Sequence, residues 1–191
     1  MYKINIFILG GYLKNKKIIF TFKSSLRPTK NIIKKTLFNW ISPIIYKSKC
    51  LDCFSGSGSL GFESISRGCN NVTFLEKNKK TTLELKKNLK RFNINNAKII
   101  NTNSIKWLKK KGNIYDIVYI DPPFNKDMIF KTIYLLIKNY WVNYDSFIYI
   151  ESEKENLYSF VPNNWFIYKK KITGQTLYLL YKCDYFKIND I

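Results

Sequence analysis

The chain is 191 residues long, room for one domain with a small appendage but not for two full domains. With 46% apolar and 17% aromatic residues it can bury a real core, which excludes intrinsic disorder. Its 33 Lys and Arg against 13 Asp and Glu leave a net charge of +20, which asks for an anionic partner, most economically a nucleic acid.

Residues 4–9 and 18–22 are short β-type runs flanking Gly10-Gly11 and a lysine-rich turn, the pattern of a hairpin. Thr29 then reads as an N-cap, and residues 31–41 place Ile33, Leu37, Phe38 and Ile41 on one helical face. From Cys50 onward the pattern alternates. Strands are expected at 50–54, 72–76, 98–102, 114–121 and 147–151, with helices at 60–67, 81–92, 104–110 and 128–139 between them. Such alternation means an α/β fold with a mostly parallel sheet and right-handed crossovers. Residues 165–170 and 176–183 face each other across Thr173-Gly174-Gln175, so a hairpin supplies an antiparallel last strand at the end of the sheet. A boundary near 42–48 separates an N-terminal extension, 1–42, from a main domain, 43–191.

Histidine is absent, which removes Ser-His-Asp triads, Cys-His pairs and His-ligated metals together. Cys50 and Cys53 form a CxxC with no second pair to complete a zinc site, and their spacing in a strand points them to opposite faces. The four cysteines therefore read as buried thiols of a cytoplasmic protein, and no metal is expected. No apolar run approaches the ~18 residues of a membrane span, so no membrane partner is expected either.

The first chemical signal is the segment from Asp52 to Gly61, DCFSGSGSLG, a strand running into a glycine turn and then a helix. Glycines suit a backbone that bends tightly under a close ligand. Gly56-x-Gly58-x-x-Gly61 is also the dinucleotide fingerprint, a weak pattern by itself. Glu76 strengthens it: it lies 20 residues beyond Gly56 at the end of the next strand, where a carboxylate can accept from both ribose hydroxyls. Asp52 is a residue that a pyrophosphate binder would avoid. Its charge suits a ligand carrying an ammonium or a sulfonium, and S-adenosylmethionine carries both.

The second signal is Asp121-Pro122-Pro123-Phe124 at the end of a strand. Proline holds the residue before it extended and has no N–H of its own, so this backbone offers carbonyls without competing donors. The Asp121 carboxylate and the Pro122 carbonyl can grip the two N–H bonds of an exocyclic amine, while Phe124 stacks on the base that bears it.

An acidic residue before Gly-x-Gly, another closing the next strand, and Asp-Pro-Pro-Phe together resemble the class I amino-methyltransferases. Leu26-Arg-Pro-Thr29, Thr36-Leu-Phe-Asn-Trp40, Cys50 through Gly58, Asp121 through Phe124 and Glu151-Ser-Glu153 extend the resemblance over residues 8–183. They look like the bacterial family that methylates guanine N2 at position 966 of 16S rRNA. The resemblance implies a Rossmann-like fold with a seven-stranded sheet, a C-terminal antiparallel hairpin and an N-terminal hairpin and helix. It implies that Asp52, Phe54, Gly56, Gly58 and Glu76 hold S-adenosylmethionine, with Asn103 and Ser104 at the adenine edge. Many class I enzymes have Asp where Asn103 stands, but an amide oxygen can still accept from the adenine amine. Asp121, Pro122, Pro123 and Phe124 would hold the guanine.

The expected mechanism is direct displacement by a guanine flipped from its stack, aligned by the protein over the glycine bend without a metal. The partner implied is 16S rRNA or the small ribosomal subunit, met by a monomer. Phosphate contacts are expected from Lys14, Lys16, Arg27, Lys30 and Lys34 in the extension, and Arg27 stands out because lysine otherwise dominates. Lys86, Lys87, Lys90 and Arg91 read instead as the solvent face of a helix. The competing readings are a DNA adenine-N6 methyltransferase, an NAD-dependent oxidoreductase and a non-catalytic basic RNA-binding protein. The last leaves Asp52, Glu76 and Asp121 without a role.

Overall fold

The two N-terminal runs pair as antiparallel strands, β1 (Tyr2–Phe7) and β2 (Lys17–Phe22), with Ile6 opposite Ile18. The computed structural model describes residues 2–22, 31–123, 126–153 and 161–184. The chain forms two compact units, Met1–Asn103 and Ser104–Ile191.

In the first unit, α1 (Asn31–Trp40) buries Ile33, Leu37 and Phe38 as their spacing requires. Two β-α-β passages follow: β3 (Lys49–Asp52), α2 (Ser59–Ser66), β4 (Asn71–Glu76), α3 (Lys79–Arg91) and β5 (Ala97–Asn101). The strands lie in the order β5-β4-β3, all parallel, with Leu51, Val72 and Phe74 fully buried. Helix α3 begins two residues earlier than the periodicity suggests. The Asn78 side chain caps it, accepting from the N–H groups of Lys80 and Thr81 at 2.9 and 3.2 Å. Lys86, Lys87, Lys90 and Arg91 lie exposed along α3, while Leu85 and Leu89 face inward.

Side chains of the two helices hold the N-terminal hairpin. Asn88, buried in α3, stands in for a strand neighbour: Oδ1 accepts from the Ile19 N–H at 3.1 Å, and Nδ2 donates to the Ile19 carbonyl at 2.9 Å. One turn earlier, Glu84 accepts from the Thr21 N–H at 3.1 Å. From α2, the Ser66 hydroxyl oxygen accepts from the Leu13 N–H at 2.9 Å.

A buried ionic cluster completes this attachment. Glu63 of α2 is fully buried; its Oε1 takes the Arg67 guanidinium at 2.9 Å and its Oε2 the Leu9 N–H at 2.8 Å. Lys34 Nζ lies 3.6 Å from Oε2 and donates to the Phe7 carbonyl at 2.6 Å. This corrects the expectation that Lys34 contacts RNA. The phase of α1 that buries Ile33 and Leu37 also turns Lys34 inward, and its ammonium is spent on Glu63. Burial pushes the Lys34 pKa down, opposed by the Glu63 carboxylate.

The second unit holds α4 (Ser104–Leu108), β6 (Ile117–Ile120), α5 (Lys126–Lys138), β7 (Phe147–Glu153), β8 (Trp165–Thr173) and β9 (Thr176–Cys183). Its strands lie in the order β6-β7-β9-β8, the first pair parallel and the others antiparallel. With β3–β5 these make a mostly parallel seven-stranded sheet. The hairpin ends the sheet as expected, but its last strand lies one place inside. Leu177 through Tyr181 of β9 are all buried, which suits a strand paired on both sides. Exposed Lys169 and Lys170 suit β8 to the edge.

Removing Glu63 strands Lys34 without its carboxylate. Glu63→Ala is expected to cost about 3–5 kcal/mol in urea denaturation. Lys34→Met, which leaves the Glu63–Arg67 pair in place, should cost much less.

Candidate functional site

The turn between β3 and α2 is built on backbone hydrogen bonds. Ser55 N–H donates to the Leu75 carbonyl at 3.0 Å and Gly58 N–H to the Ser55 carbonyl at 2.6 Å. Asp52, at the C-terminal end of β3, is only 4% exposed. That end of a strand is where open α/β sheets bind ligands. Phe54 is half-buried beside it.

The glycines divide the work. Gly56 has φ +48°, and a Cβ there would meet nothing closer than the Phe54 carbonyl oxygen at 3.9 Å. The space above it is open to a ligand. A Cβ on Gly61 would lie 2.1 Å from the Phe74 ring, so that glycine serves the contact of α2 with β4.

Glu76 ends β4 and braces the turn. Its Oε2 accepts from the Gly56 N–H at 3.0 Å and its Oε1 from the Asn78 N–H at 2.6 Å. Each carboxylate oxygen has two lone pairs, so capacity remains for ribose hydroxyls. From β5, Asn101 Nδ2 donates to the carbonyls of Glu76 and Lys77 at 2.9 and 3.1 Å, fixing the backbone that carries this carboxylate. The sequence reading missed both asparagines. Asn78 carried a signal, an N-cap type ahead of a helix; Asn101 carried none. Asn103 is exposed just beyond β5, and Ser104 is buried at the start of α4 in the other unit.

In the second unit, Asp121 follows the last residue of β6 and is half-buried; Pro122 is buried and Pro123 exposed. Phe124 lies outside the described residues. The neighbouring strand adds groups that the motif did not announce. Tyr149, fully buried in β7, donates its hydroxyl to Glu151 Oε1 at 2.9 Å. Burial pushes its pKa well above the ordinary phenol value, and the Glu151 and Asp121 carboxylates push the same way. Tyr178, opposite Glu151 in register, is pushed up by burial and by the same two carboxylates, against a hydrogen bond with Thr176. Both tyrosines are thus proton-bearing neighbours of Asp121 and Glu151. The i, i+2 alternation of β7 places Tyr149 and Glu151 on one face, the one sequence signal for this pair.

Lys14 and Lys16 are exposed in the hairpin turn, whereas Arg27 and Lys30 lie outside the described residues. All four cysteines are buried free thiols. Burial pushes the Cys53 thiol well up, helped by the Asp52 carboxylate beside it. Among the described residues no group of His, Cys, Asp and Glu is arranged to hold a metal ion, and no helix is long and apolar enough to cross a membrane.

Residues 6–182 match the family described as conserved hypothetical protein 95. The chain is 52% identical to ribosomal RNA small subunit methyltransferase D of Buchnera aphidicola from Acyrthosiphon pisum, over 94% of each chain. It is 40% identical to the protein of the same name from Escherichia coli K12, over 92% of this chain and 88% of that one. The solved yhhF structure from Escherichia coli superposes with a TM-score of 0.87 at 38% identity, covering 94% of this chain and 98% of the other. A ribosomal protein L11 methylase from Lactobacillus delbrueckii shares the fold at 14% identity and a TM-score of 0.68, covering 85% of this chain and 84% of its own. The architecture is that of the Rossmann-like class I methyltransferases.

The two glycines separate folding from binding. Gly61→Ala is expected to lower stability by about 1–3 kcal/mol through overpacking against Phe74. Gly56→Ala should cost about 1–2 kcal/mol through its left-handed backbone rather than through a clash, and should also weaken binding of a nucleoside ligand, read by calorimetric titration.

Proposed function

The chain belongs to the bacterial ribosomal RNA small subunit methyltransferase D family, matched as conserved hypothetical protein 95, and on that premise we propose that it methylates the exocyclic N2 amine of guanine 966 in 16S rRNA with S-adenosylmethionine as donor. The observation that carries the reading is the acidic glycine turn: a buried Asp52, an open Gly56 and a Glu76 carboxylate bound to the Gly56 N–H at 3.0 Å. That donor set fits a nucleoside bearing cationic groups better than a pyrophosphate. When bound, S-adenosylmethionine supplies a sulfonium-activated methyl group. Glu76 would hold its ribose and Asp52 its cationic arm, with Phe54, Gly58, Asn103 and Ser104 as further contacts.

The guanine amine is a poor nucleophile because its lone pair is delocalised into the ring. Asp121 and the Pro122 carbonyl accept its N–H bonds, returning electron density to nitrogen and stabilising the charge that develops there. Pro123 keeps the backbone extended, Phe124 replaces stacking lost when the base flips out, and Asp121 is placed to take the released proton. Lys14, Lys16, Arg27 and Lys30 of the extension, 1–42, meet phosphates. The enzyme acts as a monomer on small-subunit RNA in the cytoplasm. A DNA adenine-N6 methyltransferase uses the same tetrapeptide, but the names of the relatives favour RNA.

The experiment supplies methyl-labelled S-adenosylmethionine with small-subunit particles and identifies the labelled nucleoside after digestion. N2-methylguanosine is expected; label in adenosine, or none, refutes the reading. Asp121→Ala should abolish transfer while leaving donor binding nearly intact. Glu76→Ala should weaken donor binding by about 1.5–3 kcal/mol, the range for hydrogen bonds to a charged group.

A further inference from the structure

Two carboxylates, Asp121 and Glu151, stand near the C-terminal ends of β6 and β7, and the mechanism above uses only one. Ile120 of β6 pairs with Ile150 of β7, so Asp121 and Glu151 follow the same rung of two parallel strands. Tyr178 lies opposite Glu151 in the β7–β9 register and Tyr149 hydrogen bonds to it, which gathers both tyrosines around the rung that Asp121 follows. The Tyr149 hydroxyl holds Glu151 Oε1 at 2.9 Å, and the Tyr149 ring is itself locked edge-on against Tyr119, with centroids 6.4 Å apart. Glu151 is half-buried, so it is held within the sheet without being closed off from solvent.

Ionised carboxylates only accept hydrogen bonds. Two of them side by side ask for a base edge with two adjacent donors. Among the RNA bases only guanine has one, N1–H beside the N2 amine; adenine and cytosine set a bare ring nitrogen beside their amine, and uracil offers a single N–H. A carboxylate opposite a bare ring nitrogen sets lone pair against lone pair, a repulsive element of the kind that creates specificity.

Resting on the function proposed above, we infer that Glu151, oriented by the Tyr149 hydroxyl, reads guanine by accepting from its N1–H while Asp121 takes the N2 amine. Glu151 is then a specificity residue that touches the base, and Tyr149 a positioning residue that acts through it. The pair explains how an Asp-Pro-Pro-Phe loop, which suits any planar exocyclic amine, is restricted to one base.

The test uses the whole chain, labelled S-adenosylmethionine and two versions of a 16S rRNA substrate, one with guanine and one with 2-aminopurine at the target. 2-Aminopurine keeps the C2 amine but presents a bare N1. The wild-type kcat/KM should fall about 10- to 100-fold on 2-aminopurine, the loss expected when a charged acceptor loses its donor. Glu151→Gln can donate from its amide to the bare N1, so the guanine preference should shrink at least about tenfold while donor affinity stays that of the parent. Tyr149→Phe should shrink it partially and provides an independent variant if Glu151→Gln folds poorly. An unchanged guanine preference in both variants overturns the inference, whatever happens to the absolute rate. Failure of the wild type to methylate the guanine substrate would instead refute the activity, and this inference with it.

Discussion

The Glu76 carboxylate ties two turns together, taking the Gly56 N–H on one oxygen and the Asn78 N–H on the other. The first turn leads into α2 and the second starts α3, so one side chain sets both loops at the C-terminal ends of β3 and β4. Asn101 and Thr102 secure it from behind by donating to the Glu76 carbonyl, each at 2.9 Å. Everything asked of the glycine turn, a left-handed Gly56 with open space above it and a carboxylate within reach of a ribose, follows from that arrangement. The turn is set before any ligand arrives, which lowers the entropy a ligand must give up on binding.

The same economy governs charge. The chain has 13 acidic residues against 33 basic ones, and several of the acids are engaged in internal hydrogen bonds. Glu63 is shared by Lys34 and Arg67, Glu84 holds Thr21, Glu76 holds the glycine turn and Glu151 takes the Tyr149 hydroxyl. Carboxylates committed to structure and site leave the exposed lysines of the hairpin turn and α3 facing solvent with little compensation. A surface of that kind attracts polyphosphate chains at long range and loses the attraction as salt rises. The lysine count alone misleads at one point, because Lys34 belongs to the interior.

Much of the fold was legible from apolar periodicity, and most elements begin and end within a few residues of where the pattern puts them. The differences have local causes. Asn78 starts α3 early by capping it, and β6 is short because Gly112 and Tyr115 hydrogen bond to the 139–141 segment rather than joining the strand. The order of β8 and β9 could not be read from turn chemistry, which gives the pairing of a hairpin but not which of its strands meets the sheet. Burial of β9 on both faces decided that. At the site, the motifs named the residues that offer backbone or carboxylate to a ligand. They were silent on Asn101, Tyr149 and Tyr178, which act through other side chains; only the alternation of β7, which puts Tyr149 on the face of Glu151, carried a signal. Lys34 was misread by residue type although the apolar stripe was in hand: it lies one turn before Leu37 and Phe38, on the face they bury.

Glu76 holding a ribose is the central claim, and a binding cycle tests it directly. S-Adenosylmethionine and its 2′-deoxyribose analogue would be titrated against the wild type and against Glu76→Ala. The missing hydroxyl is expected to cost the wild type about 1.5–3 kcal/mol and the variant almost nothing, because the hydroxyl and the carboxylate are partners. An equal loss in both proteins would show that the ribose is held elsewhere and that Glu76 serves the turn alone.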